Sequence, residues 1–231
     1  MLQTRTYGDE RQLAFCAFCG GPTGTRDHCP SRVLLDEPYP ENLPVVPACV
    51  ACNTRFSPDE QYLACLVSCV VAGSTDPAKI ARPKIRRILS QSLALRARIE
   101  QSRAESATGV TFAPEHERVS SVVCKLAQGH ALFELREPHP EPPDTIHVAP
   151  LGLTLRAERE AFESTHGPVI SVWPEVRSRA MQHILHGIDA PHECPWLVVQ
   201  SGLYRFHASV DSGIRVRIVI HEYLACHVHW K

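Results

Sequence analysis

The chain has 231 residues, 44% hydrophobic and 21% charged, a balance that supports a packed core and excludes a wholly disordered or fibrous protein. Its 24 basic residues against 25 acidic give a formal net charge of -1, which excludes a uniformly basic coat and confines any nucleic-acid contact to a local patch or a metal. The start, MLQTRTYGDERQ, has no apolar signal core, so the ten cysteines read as thiols of a reducing cytoplasm and not as a disulfide scaffold.

Residues 1–57 are rich in Pro, Gly and Cys and show no long periodic stretch. They fit a small module of short strands and turns whose missing core a metal would supply. Two Cys-x-x-Cys pairs, Cys16/Cys19 and Cys49/Cys52, have the spacing of a closed tetrahedral zinc site, since each knuckle turns two sulfurs toward one ion.

At Ser57 the pattern changes. Ser57 can N-cap, Pro58 suits the first helical position, and Tyr62, Leu63, Leu66, Val67 and Val70 follow at helical spacing, which predicts a helix to about Gly73. Its apolar run, residues 62–73, is too short to cross a bilayer, so no membrane contact is expected. Cys65 and Cys69 on this helix read as small buried hydrophobes.

A second helix is predicted over residues 84–105. The chain's main basic run, Lys79, Arg82, Lys84, Arg86, Arg87, Arg96 and Arg98, is either a solvated face or a phosphate contact. A third helix is expected over 117–130. Residues 136–150 hold five prolines and read as a linker or covering loop.

Beyond a short helix around 155–165, Trp173, Glu175, Arg177 and Arg179 suggest an anchor for the C-terminal strands, or on another reading a small-ligand pocket. Two alternating segments, 196–210 and 214–230, flank the turn-forming Asp211-Ser212-Gly213 and predict a long hairpin. His183/His186, His192/Cys194 and Cys226/His227/His229 lack paired knuckles and read as structural. The expected class is α+β: a zinc module (1–57), a helical region (58–135), the Pro-rich stretch (136–150) and a C-terminal α+β domain (151–231).

The string CAFC (16–19), DHCPS (27–31) and ENLPVVPACVACN (41–53) resembles the zinc-stapled HNH endonuclease family, over about 40 to 55 residues. The resemblance implies a strand-strand-helix module with structural zinc on Cys16, Cys19, Cys49 and Cys52. It implies His28 as general base, a catalytic magnesium or manganese ion on Asp27 and Asn53, and Asn42 as a loop brace. Asn53 stands where the family commonly has histidine.

Those residue types suit phosphodiester hydrolysis. A neutral histidine can deprotonate water near neutral pH, and a hard cation on a carboxylate stabilises charge building on the phosphate. Cys29, next to the base, reads as a small hydrophobe. Arg26 and Arg32 flank the base and are candidate phosphate contacts. The partner implied is DNA, cut to 5′-phosphate and 3′-hydroxyl ends, with a protein partner or a homodimer where both strands are cut. The alternative is a noncatalytic zinc-binding module that docks on nucleic acid or protein.

Overall fold

A computed structural model describes residues 4–5, 14–41, 43–107, 109–164, 196–210 and 212–231. Asn42, and the expectations placed on Trp173, Glu175, Arg177, Arg179, His183, His186, His192 and Cys194, lie outside the described residues. The architecture is mixed α+β, with five α-helices among the described residues and an antiparallel sheet at the C-terminal end.

Near the N-terminus, β2 (Thr25–His28) runs antiparallel to β3 (Pro44–Ala48), which also pairs in parallel with β1 (Thr4–Arg5). Helix α1 (Val50–Ala72) comes directly after β3. It begins seven residues before the expected Ser57, because the Cys49 sulfur caps it by accepting the Cys52 backbone N–H at 3.3 Å. Pro58 lies inside the helix, where its missing N–H removes one backbone bond from a segment fixed at both ends. Gly73 ends it at φ 62, a left-handed position that glycine adopts without steric cost.

The helix predicted over 84–105 divides into α2 (Pro83–Gln91) and α3 (Leu93–Gln101). Ser92, at φ -104 and ψ 80, breaks it, and residues 103–105 belong instead to a hairpin of β4 (Arg103–Ser106) and β5 (Gly109–Phe112). Helix α4 (His116–His130) continues through a wider turn at Ala131–Leu135 and packs on α1. The Tyr62 hydroxyl accepts the Glu115 N–H at 2.9 Å at the start of α4. Among the described residues no helix is long and apolar enough to cross a membrane.

The Pro-rich stretch ends in a strand, β6 (Thr145–Pro150), and the short helix is α5 (Arg156–Glu163). The expected long hairpin is four strands: β7 (Leu197–Gln200), β8 (Tyr204–Val210), β9 (Ile214–Ile220) and β10 (Leu224–Trp230). With β6 they form an antiparallel sheet in the order β6-β10-β9-β8-β7. Each alternating segment folds back on itself, the second through His221 and Glu222 at φ 57 and 47. His-Glu lacks the Asn-Gly or Asp-Gly signature of such turns, so the periodicity carries straight through it.

Cross-strand partners share a face. Tyr204, Phe206, Ile218, Ile220, Cys226 and Val228 lie in one buried core cluster with α1 and α4 residues such as Leu63, Leu66, Val122 and Leu126. A polar seam joins the sheet to the N-terminal module. Gln200 exchanges two hydrogen bonds with the Asp36 backbone at 2.8 and 3.0 Å, and Arg82 bonds the Asp36 carboxylate at 2.9 Å and the His221 ring at 3.2 Å.

Helix α4 passes the end of β2 closely at Gly129, where an added Cβ would lie 2.7 Å from the Cys29 sulfur. Both groups are enclosed, so Gly129→Ala is expected to destabilise the fold by about 1–3 kcal/mol through overpacking. Urea denaturation checks this, and adding Cys29→Ala should restore part of the loss; equal stability of Gly129→Ala and the parent would contradict the packing.

Candidate metal and hydrolytic site

The four knuckle cysteines converge. Their sulfurs all lie within 4.8 Å of one another, and those of Cys19 and Cys49 are 3.8 Å apart. A tetrahedron with Zn–S bonds of about 2.3 Å has edges of about 3.8 Å, so the set fits zinc. The first knuckle is shaped by the backbone: Gly20 donates to the Cys16 carbonyl at 2.9 Å and takes φ 69. Ala17 donates to the Pro47 carbonyl at 2.9 Å, which holds the knuckle to β3.

The thiols are electrostatically unequal. The backbone N–H of Cys52 lowers Cys49 to about 7, while burial pushes Cys16 and Cys52 up. Metal binding has to remove those protons, which is how such a site becomes coupled to folding.

Asp27 and His28 end β2, opposite Val46 and Val45 of β3. The His28 ring is half-buried, and its Nε2 has no hydrogen-bond partner. Burial lowers its pKa below 6.5, and the Arg32 guanidinium adds to this, against the opposing Asp27 carboxylate. The ring is therefore neutral at pH 7, the protonation state a general base needs.

Asp27 is engaged differently from what the resemblance implies. One carboxylate oxygen accepts the His28 backbone N–H at 2.8 Å, and the other takes the Lys125 ammonium at 2.6 Å. Lys125 comes from α4, is 2% exposed, and also contacts the Glu60 carboxylate of α1 and the Ser31 hydroxyl, the latter at 2.9 Å. Ser31 in turn donates to Glu60. Burial opposes the Lys125 charge, yet the Asp27 and Glu60 carboxylates together hold its pKa above the usual value. The rings of Phe18 and Phe56 lie 5.5 and 5.8 Å from the ammonium.

Asn53, in the first turn of α1, donates its amide to the Thr25 hydroxyl and the Arg26 carbonyl, both at 3.3 Å. It ties helix to strand. A dication on Asp27 would share that carboxylate with an ammonium, so this arrangement does not fit magnesium or manganese unless Lys125 withdraws.

Arg26 and Arg32 are exposed beside the base, with Arg32 5.7 Å from the Tyr39 ring. Much of the basic run serves the fold. Arg82 is buried on Asp36, Arg98 pairs with Glu115 at 2.7 Å, Arg86 bonds the Ile80 carbonyl, and Lys84 donates to the Arg32 carbonyl at 2.9 Å. Cys29 is buried, as its small-hydrophobe reading requires, but its sulfur also lies 3.4 Å from His130 Nδ1. Cys65 and Cys69 are fully buried in α1, and burial pushes both thiols up to about 12.

Sequence reasoning missed Lys125, Glu60 and Ser31. The available signal was a charge on an apolar helical face: Lys125 sits among Val122, Val123 and Leu126, where a solvated lysine has no reason to be.

No known protein family, characterised protein or solved structure matches the chain.

Cys49→Ser removes one ligand and the cap of α1 together. The parent is expected to carry one zinc per chain by elemental analysis, and the variant to lose it along with cooperative unfolding of the module. Lys125→Met strands two carboxylates away from water and is expected to cost about 3–5 kcal/mol of unfolding free energy. Adding Glu60→Gln should recover part of that loss in the same denaturation measurement, and simple additivity would contradict the coupling.

Proposed function

We propose that the chain is a nuclease of the HNH type that hydrolyses phosphodiester bonds in DNA with His28 as general base. The observation that carries this reading is the His28 ring, neutral at pH 7 and with a buried Nε2 that has no hydrogen-bond partner, on a strand that Asn53 ties to α1 beside the four-sulfur cluster. His28 takes a proton from water as its oxygen bonds phosphorus. The bond from phosphorus to the 3′ oxygen breaks, and that oxygen gains a proton, leaving a 3′-hydroxyl and a 5′-phosphate. Arg32 and Arg26 hold the phosphate by charge-assisted hydrogen bonds.

One site per chain nicks a duplex, and cutting both strands takes a homodimer or a protein partner. A second reading is a noncatalytic zinc-binding module that docks on nucleic acid or protein. The specific observation favouring it is the Asp27–Lys125 pair at 2.6 Å, which commits the carboxylate that a catalytic metal would use.

The test is cleavage of plasmid and single-stranded DNA by zinc-loaded protein, with magnesium or manganese added, beside His28→Ala of equal zinc content. The nuclease reading expects cutting that falls by about 10²- to 10⁴-fold in the variant. Because the His28 pKa lies below 6.5, the acid limb of kcat/KM should also lie below pH 6.5, with activity lost as pH falls through it. Absence of cutting by the folded parent, or equal cutting by His28→Ala, would favour the docking module.

A further inference from the structure

Lys125 is a buried charge that the hydrolytic step does not use. It is 2% exposed, a burial that lysine reaches only when paired, and its ammonium bridges carboxylates of two elements, Asp27 of β2 and Glu60 of α1. The two carboxylates differ in setting. Asp27 is part-exposed at the end of the strand, beside His28, whereas Glu60 is buried in the helix. A cation arriving from solvent therefore meets Asp27, with the ammonium held on it from within.

The ammonium also has a second seat. Ser31 accepts from it at 2.9 Å and donates to Glu60, so hydroxyl and carboxylate form one joined acceptor group. Phe56 lies one turn before Glu60 on the same face of α1, its ring 5.8 Å from the ammonium, with the Phe18 ring at 5.5 Å. Released from Asp27, Lys125 keeps a counter-charge, a hydroxyl acceptor and two aromatic neighbours, so no unpaired charge is left in the interior. Asp27 keeps the His28 backbone N–H on its other oxygen at 2.8 Å, which retains its direction relative to the base.

Charge distinguishes the two positions. One ammonium against two carboxylates leaves the group formally negative, which disfavours a phosphodiester beside His28. A dication on Asp27, with Lys125 drawn back onto Glu60, would reverse that sign. The dication and the ammonium compete for one oxygen, because hard cations need carboxylate oxygens and like charges a few Å apart repel strongly in a poorly solvated interior.

We propose that Lys125 is a latch on Asp27, an autoinhibitory contact that yields the carboxylate to a divalent cation only when the ammonium draws back onto Glu60 and Ser31. The apparent affinity for the cation is then the intrinsic one reduced by the fraction of molecules with the latch open. The latch concerns the cation that the nuclease reading calls for and so rests on that reading, but it is read out by cation binding alone.

Paramagnetic resonance of free manganese, titrated with the full zinc-loaded chain, tests it; manganese competes poorly with zinc for thiolates. Lys125→Met/Glu60→Gln removes the latch and its seat together and should bind manganese at least about tenfold more tightly than the parent, the gain expected where about one parent molecule in ten or fewer is open. Adding Asp27→Asn should abolish the gain. Glu60→Gln alone should act in the opposite direction and weaken binding, because the ammonium loses its alternative counter-charge and stays on Asp27. Circular dichroism checks folding and elemental analysis checks zinc content. No tighter binding by the folded Lys125→Met/Glu60→Gln chain, a gain that survives Asp27→Asn, or binding unchanged or tightened by Glu60→Gln would overturn the latch. Where the double variant does not fold, Glu60→Gln decides alone. Manganese binding as expected in a chain that cuts no DNA would keep the latch and remove the nuclease.

Discussion

The ammonium of Lys125 is the point on which the N-terminal half turns. Lysine has three N–H donors, and here they meet Asp27 of β2, Glu60 of α1 and Ser31 of the turn after β2. Isolated in this interior the charge would be prohibitively costly, so the three elements have to hold their relative positions to keep it satisfied. That constraint sets the end of β2 against the two helices, and His28 is the next residue along. An apolar side chain in place of Lys125 could fill the same volume but would leave one Asp27 oxygen without its partner, the other still held by the His28 backbone N–H.

The sulfur cluster plays the same part at the other end of the module. A strand pair and one helix cannot bury enough apolar surface to fold alone, and the local cluster around Phe18, Val46, Ala48 and Phe56 borrows Leu132 and Phe133 from beyond α4. Zinc bonds would tie the knuckle at Cys16/Cys19 to the start of α1, so that Asn53, four residues past Cys49, can join helix to strand. Cys49 thus serves both as the cap of α1 and as one sulfur of the cluster. The imidazole lies half-buried between these two fixed points, its ring neutral and its buried Nε2 without a hydrogen-bond partner.

Cysteine spacing was legible in the sequence because a metal site depends on covalent reach and not on distant contacts. The helices at 117–130 and around 155–165 were legible for a related reason, since apolar period and capping are local. The start of α1 was not: a sulfur cap lies outside the usual Ser/Thr/Asp/Asn vocabulary, and Ser57-Pro58 offered a stronger local signal. The second segment read as one strand because His221-Glu222 turns the chain without turn-forming residues, whereas in the first the turn at Ser201-Gly202 did carry a signal, Gly202 at φ 72, that the alternation on either side masked. Lys125 was hidden for a deeper reason, as its partners lie 65 and 98 positions away in sequence and ion pairing across a fold leaves no periodic mark. The basic run misled in the opposite direction, since Arg82 is buried on Asp36 and Arg98, at the surface, is paired with Glu115.

The most direct measurement is a crystal grown with zinc and soaked in manganese, with anomalous diffraction collected at energies that separate the two elements. A zinc peak is expected between Cys16, Cys19, Cys49 and Cys52, and manganese at Asp27 only where the Lys125 ammonium has left that carboxylate. Four sulfurs without zinc, or manganese on Asp27 with Lys125 still in contact, would contradict that expectation.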